Sequence, residues 1–141
     1  MNEIEKKIII GIDVSKEKLD LWVLPDQKHF VIKNNSRAIG QWFSRYKGLY
    51  QQVIVLLEPT GGYENVLIKT LLKHPIDLRM VHPKTLHHFA KGIGYEAKTD
   101  KMAAYQLALF AKEKPKTAMK QITNKHLPSV PATLRQKCVR N

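Results

Sequence analysis

The sequence predicts an α/β domain in which a central β-sheet is flanked by helices, with the element order βββαβαβα. Three β-rich segments occupy residues 8–33, and helix-like and strand-like segments then alternate as far as residue 113. Hydrophobic residues make up 43% of the 141 residues. A chain of this length and composition can bury a substantial core, so we expect one globular domain.

The first three segments predict consecutive strands. The run "KKIIIGIDVS" is rich in isoleucine and ends in serine, which is typical of a central strand buried on both faces. "KLDLWVL" and "KHFVIKN" follow it, separated by the turn-prone "PDQ". We therefore expect a three-stranded meander at the start of the fold.

Residues 35–83 predict a helix, a strand, a second helix and a short strand. In "NSRAIGQWFSRYKG" the apolar residues follow helical spacing, and we expect Ser36 to cap the N-terminus. "QQVIVLLEPTGG" is an apolar strand. "GYENVLIKTLLKHP" then predicts a helix, and "IDLRMVHP" predicts a short strand closed by proline.

The last third of the chain predicts one strong helix and a change of character after it. "KTLHHFAKGIG" fits a short helix or a loop, whereas "KTDKMAAYQLALFAKEK" predicts a long helix capped by Thr99. Residues 114–141 contain prolines and many basic residues without sustained periodicity. We therefore expect a domain over residues 1–113 and a flexible basic tail over residues 114–141.

Charge and cysteine content limit the classes of function. The formal net charge is +12 and the sequence pI is about 9.9, which favours a polyanionic partner such as nucleic acid. The single cysteine, Cys138, excludes an internal disulfide and favours the cytoplasm. Apolar runs are far shorter than the roughly 20 residues that span a bilayer. We expect a cytoplasmic protein without a membrane partner.

Three acidic residues stand where a metal site would form. Asp13 lies in an otherwise apolar strand, Glu58 ends another, and Asp100 begins the last long helix. Sites in α/β sheets form beyond the carboxyl ends of strands, and carboxylate oxygens suit Mg²⁺ or Mn²⁺. A structural interpretation is equally open, in which Asp13 binds backbone N–H groups of its turn, Glu58 pairs with a lysine and Asp100 caps its helix.

Four segments then carry a resemblance to a known family: "GIDVSKEKLDLWV", "LEPTGGYE", "VHPKTLHHFAKGIGYEAKTDK" and "AYQLALFA". Over residues 7–113 the chain resembles the N-terminal catalytic domain of the DEDD transposases of bacterial insertion sequences, the group that includes the Piv-type DNA invertases. The resemblance implies a RuvC-like, ribonuclease H-like fold. It also implies that Asp13, Glu58 and Asp100 are catalytic residues that coordinate Mg²⁺ or Mn²⁺ for DNA strand cleavage and exchange.

The resemblance also implies partners. DNA is the expected substrate, and family behaviour adds self-assembly on DNA ends and an element-encoded guide RNA. Five basic residues in the segment before Asp100 are candidates for phosphate contact, although a solvated basic loop is an alternative: Lys84, His87, His88, Lys91 and Lys98. The histidines lack ligand partners at zinc spacing, so we expect no zinc.

Two departures from the family pattern suggest weakened chemistry. Ala103 stands where the fourth acidic residue is expected, and Glu96 or Glu64 could in principle substitute for it, although nothing in the spacing favours either. The family's C-terminal domain, with its nucleophilic serine, has no counterpart in the sequence, so we expect a truncated and impaired transposase or recombinase. Two alternatives are a catalytically inactive DNA-binding module and the remnant of an insertion-sequence gene.

Overall fold

The computed structural model describes residues 6–124, within which six β-strands and four α-helices follow one another. The strands are β1 (Ile8–Val14), β2 (Lys18–Leu24), β3 (Lys28–Lys33), β4 (Val53–Leu57), β5 (Asp77–Met80) and β6 (Lys120–Gln121). The helices are α1 (Ser36–Phe43), α2 (Asn65–Leu71), α3 (Pro83–Gly92) and α4 (Asp100–Glu113). The predicted α/β class and the predicted order as far as α4 are confirmed, with 83–92 forming a helix rather than a loop.

The strands form one mixed sheet in the order β3-β2-β1-β4-β5-β6. The meander β1-β2-β3 is antiparallel, whereas β4 runs parallel to β1 and β5 runs parallel to β4. Strand β1 therefore lies between β2 and β4, in the interior of the sheet, as its isoleucine run predicts.

The two faces of the sheet bury separate apolar clusters. On β1, Ile10 and Ile12 point to the face covered by α1 and α2, whereas Ile9 points to the face covered by α3 and α4. Each fully buried side chain of this size stabilises the fold by about 1.5–3 kcal/mol. The alternation along β1 and β4 thus decides which residues face α4, and Asp13 lies on the side of Ile9.

Helix α4 approaches β1 closely because residue 11 is glycine. A Cβ atom built on Gly11 would lie 2.2 Å from the carbonyl oxygen of Ala104 and 2.3 Å from the backbone nitrogen of Ala108. No side chain fits in that space, so the glycine lets the two backbones touch. This contact fixes where the first residue of α4, Asp100, lies relative to β1.

The helix caps agree with the sequence in one case and differ in another. Thr99 caps α4 as predicted, because its hydroxyl oxygen accepts a hydrogen bond from the backbone N–H of Met102. The prediction that Ser36 caps α1 is wrong. The Asn35 side chain accepts the bond from the N–H of Ala38, so Ser36 is the first residue of the helix.

Residues beyond α4 add an edge strand that the sequence did not predict. The two residues of β6 pair with β5 in antiparallel fashion, and Ile122 is buried at the end of this strand. Two residues are too few to show the alternation of apolar and polar side chains that predicts a strand, so no sequence pattern indicated β6. Residues 125–141, most of the predicted basic tail, lie outside the described residues.

Candidate functional site

Asp13 stands near the end of β1 on the face of the sheet that α4 covers. Its direct partner across the β1–β2 ladder is Asp20. Cross-strand partners point to the same face of a sheet, so the two carboxylates lie side by side. Like charges in direct opposition destabilise a sheet, and this pair therefore needs compensating cations.

Asp100 reaches the same place from the first turn of α4. Thr99 already caps this helix, which leaves the Asp100 side chain free for other contacts. It is hydrogen-bonded to Asp13, and one of its oxygens lies 3.0 Å from the Lys18 ammonium nitrogen. The predicted alternative in which Asp100 serves as the helix cap is therefore wrong.

Asp13, Asp20 and Asp100 each place a carboxylate oxygen within 4.8 Å of the other two. Asp13 is half-buried, Asp20 is buried at 3% exposure and Asp100 is exposed. Asp20 was not among the residues predicted for the site. The signal that marked Asp13, a carboxylate within an apolar strand, is equally present in "KLDLWVL" and marks Asp20 as a candidate, whereas its place beside Asp13 follows only from the strand register.

Glu58 lies beside this cluster but outside the group of three. It follows β4 directly, and β4 pairs with β1 in a parallel register in which Gly11 is opposite Leu56. Continuing that register by two residues places Glu58 beside Asp13, and its negative charge contributes to the raised pKa of Asp13. Burial raises the pKa of Glu58 itself.

The electrostatics of the cluster favour one shared proton. Burial, followed by the charge of Asp100 and the hydrogen bond to it, raises the pKa of Asp13 to about 7. The hydrogen bond from Lys18 lowers the pKa of Asp100. Below about pH 7 the Asp13–Asp100 pair therefore retains a proton, which a cation binding there would displace.

The structural alternatives for Asp13 and Glu58 also fail among residues 6–124. The turn after β1 is closed by Ser15, whose backbone N–H and hydroxyl both donate to the carbonyl oxygen of Lys18. Asp13 is not needed for that turn. No lysine of the described chain forms an ion pair with Glu58.

Neither Glu64 nor Glu96, the two residues that could in principle replace the fourth acidic residue, belongs to the cluster. Glu64 is buried, and its carboxylate accepts hydrogen bonds from Thr60 and from the N–H of Gly62. Burial by itself would raise the pKa of Glu64, but these hydrogen bonds have the larger combined effect, so the pKa lies below its ordinary value. Glu96 lines a cavity together with Glu58. Ala103 lies half-buried one helical turn after Asp100.

The predicted basic residues are exposed, and α3 arranges four of them in one stripe. Lys84, His87, His88 and Lys91 recur at helical spacing on α3, and Lys98 lies in the loop before α4. A cavity of about 560 Å³ is lined by Glu58, His87 and Lys91 among others. Within residues 6–124, the group of potential metal ligands at coordinating distance from one another consists of Asp13, Asp20 and Asp100, and none of the predicted basic residues belongs to it.

A comparison with protein families assigns the chain to a known family. The family model for transposases of the DEDD, IS110 type matches residues 10–129. The chain belongs to this transposase family. Two curated relatives are the pilin gene-inverting proteins of Moraxella lacunata and Moraxella bovis, each 29% identical over 115 residues. The alignments cover 77% of this chain, and the chain spans 36% of each relative's length.

Solved structures agree on the fold. The RuvC protein of Thermus thermophilus superimposes with a TM-score of 0.58 at 14% identity, covering 82% of this chain and 99% of RuvC. RuvC from T. thermophilus in complex with its Holliday junction substrate gives a TM-score of 0.56 at 13% identity, with the same coverage. The transposase chain therefore has the predicted RuvC-like, ribonuclease H-like fold. Among the helices of residues 6–124, none combines the length and apolar character needed to cross a bilayer.

Proposed function

We propose that this chain carries the metal site of a transposase that cleaves and rejoins DNA phosphodiester bonds during transposition or site-specific recombination. The observation that carries the proposal is the contact between Asp13 of β1 and Asp100 of α4, which are far apart in sequence and adjacent in space. The similar Moraxella proteins are named for inverting a pilin gene, and the similar RuvC structure holds a Holliday junction.

The donor set fits a hard divalent cation. Asp13 and Asp100 would hold Mg²⁺ or Mn²⁺, with Glu58 approaching from the next strand, because carboxylate oxygens are the ligands these ions prefer. A bound ion would polarise the phosphate and lower the pKa of an attacking water. We therefore assign the catalytic and metal-binding roles to Asp13, Glu58 and Asp100.

The chain's own residues would supply the remaining functions. Lys84, His87, His88, Lys91 and Lys98 would contact phosphates and so fix the position of the strand without reading its sequence. His87 and Lys91 line the cavity that also contains Glu58, which is where a backbone phosphate would enter. We propose double-stranded DNA as the partner. Self-assembly on DNA ends and an element-encoded RNA stay predictions from the resemblance.

A second candidate function is DNA binding without cleavage. The observation that favours it is Ala103, which leaves the first two turns of α4 with Asp100 as their only acidic residue. Loss of one ligand reduces metal affinity or activity by large factors. The net charge of +12 would still hold the chain on DNA.

Nicking of a supercoiled plasmid in Mn²⁺ separates the two functions. The cleavage proposal predicts metal-dependent nicking by the native chain, loss of nicking in Asp13→Asn, and faster nicking in Ala103→Asp. Binding to a labelled duplex at several salt concentrations is measured in parallel. Salt-sensitive binding by all three proteins without nicking by any of them would support the binding module and refute cleavage by this chain.

A further inference from the structure

Lys18 lies at the solvent-facing edge of the carboxylate cluster, with its side chain 43% exposed, and contacts two members of the cluster. It begins β2, and its ammonium nitrogen lies 2.9 Å from one oxygen of Asp20 and 3.0 Å from one oxygen of Asp100. The contact with Asp100 joins the start of β2 to the start of α4. The ammonium group thus bridges the buried carboxylate of β2 and the first carboxylate of α4.

Asp20 holds Lys18 in this position. Its side chain is almost fully buried, and its second oxygen lies 2.7 Å from the Nε2 atom of His29 on β3. Both oxygens of Asp20 are therefore occupied, one by Lys18 and one by His29. Although Asp20 has the spacing of a ligand, its contacts make it an anchor for the lysine.

The position of Lys18 affects any ion bound nearby. A Mg²⁺ or Mn²⁺ ion on the same Asp100 oxygen would lie about 2 Å from that oxygen. It would then be at most about 5 Å from the ammonium nitrogen, where two positive charges repel each other strongly. The lysine and a second divalent ion compete for the same carboxylate oxygens.

We propose that Lys18 is a built-in cation that takes the place of a second metal ion, so that this site binds a single divalent ion. The inference rests on the proposed function, in which Asp13 and Asp100 bind that ion. It assigns Lys18 as a positioning residue that sets metal stoichiometry and affinity. With Ala103 in place of a fourth carboxylate, one ammonium group and one divalent ion together balance the three negative charges of ionised Asp13, Asp20 and Asp100.

Calorimetric titration with Mn²⁺ tests the inference on the full chain. We expect one ion per native chain, and in Lys18→Met either a second ion or an affinity about tenfold higher, equivalent to about 1.4 kcal/mol. Lys18→Arg keeps the charge and should bind like the native protein. Lys16→Met is the matched control, because Lys16 is exposed and forms no ion pair with a carboxylate of residues 6–124.

The outcomes separate this inference from the proposed function. If the native chain binds Mn²⁺ and Lys18→Met binds it with unchanged or lower affinity, the role of Lys18 is refuted and the metal site stands. If neither protein binds, the metal site itself is refuted, and the inference falls with it. Circular dichroism checks folding, and should Lys18→Met fail to fold, Lys18→Gln, which keeps a donor to Asp20, is titrated with the same criteria.

Discussion

Replacing Gly11 with alanine should reduce both the stability of this domain and the metal affinity of the proposed site. The added Cβ would lie 2.2 Å from the Ala104 carbonyl oxygen, 2.3 Å from the Ala108 nitrogen and 2.9 Å from the Leu107 Cβ atom. Two of these three atoms belong to the backbone of α4, so no side-chain rotation relieves the clash. The helix must retreat from β1 by about 1 Å to reach an ordinary contact distance.

The magnitude follows from this displacement. Overpacking of a core costs about 1–3 kcal/mol, and a clash with backbone lies at the upper end of that range. A loss of about 3 kcal/mol should lower the melting temperature by about 12 °C in a chain of this size. Because a functional site tolerates shifts of only about 0.5 Å, retreat of α4 carries Asp100 away from Asp13, and Mn²⁺ affinity should fall by about tenfold or more.

The loss of stability is measured by thermal denaturation without metal. The loss of Mn²⁺ affinity is measured by calorimetry at a temperature where both proteins are folded. Gly40→Ala is the matched control, because a Cβ there meets nothing within 4 Å and the glycine lies within α1. Alanine should stabilise that helix by about 0.5–1 kcal/mol. A Gly11→Ala protein that melts within about 2 °C of the native one and binds Mn²⁺ equally well would refute the packing argument.

Three further predictions concern pH, the far edge of the sheet and DNA. The pKa of Asp13 is about 7 in the folded protein and 3.8 ordinarily, so between these pH values the folded metal-free protein binds more protons than the unfolded chain. The free energy of unfolding should therefore fall as pH rises from 4 to 7. Thermal unfolding across that range should show a flatter profile for Asp13→Asn, and an unchanged profile would contradict the assignment. Arg79→Met removes both hydrogen bonds to Asp77, 2.7 and 3.1 Å long, and should cost about 1–3 kcal/mol in urea denaturation. An unchanged midpoint would show that this partly buried pair contributes nothing. Lys91→Ala should weaken duplex DNA binding and reduce its salt slope by about 1, whereas Lys47→Ala, exposed just after a turn that follows α1, should not; equal effects of the two changes would exclude a specific role for α3.

The sequence predicted the elements whose signals are local. Strands β1 and β4 are continuous apolar runs, and α1 shows the helical spacing of Ile39, Trp42 and Phe43. The pattern of apolar residues is therefore enough to identify these elements, and the structure buries the residues concerned. The cap of α1 was misassigned because Asn35 and Ser36 are adjacent and both suit a cap. Only the backbone conformation decides which of them stands outside the helix, since Asn35 is extended.

The site was predictable where a strand end or a motif marked it. Asp13, Glu58 and Asp100 could be selected because each breaks an apolar pattern or begins a helix. Asp20 could not be placed beside Asp13 without the β1–β2 register, which depends on the length of the intervening turn. The contact of Lys18 with Asp100 depends on the packing of α4 against the sheet, which no local pattern contains.

The most direct test of the metal site is calorimetric titration of Mn²⁺ into the native chain, Asp13→Asn and Ala103→Asp. Asp26→Asn, which removes an exposed carboxylate in the β2–β3 turn, serves as the control for lost charge. We expect binding by the native chain, a loss of about tenfold or more in Asp13→Asn, tighter or additional binding in Ala103→Asp, and no change in Asp26→Asn. Equal affinities of the native chain and Asp13→Asn, or no binding even in Ala103→Asp, would contradict the proposed metal site.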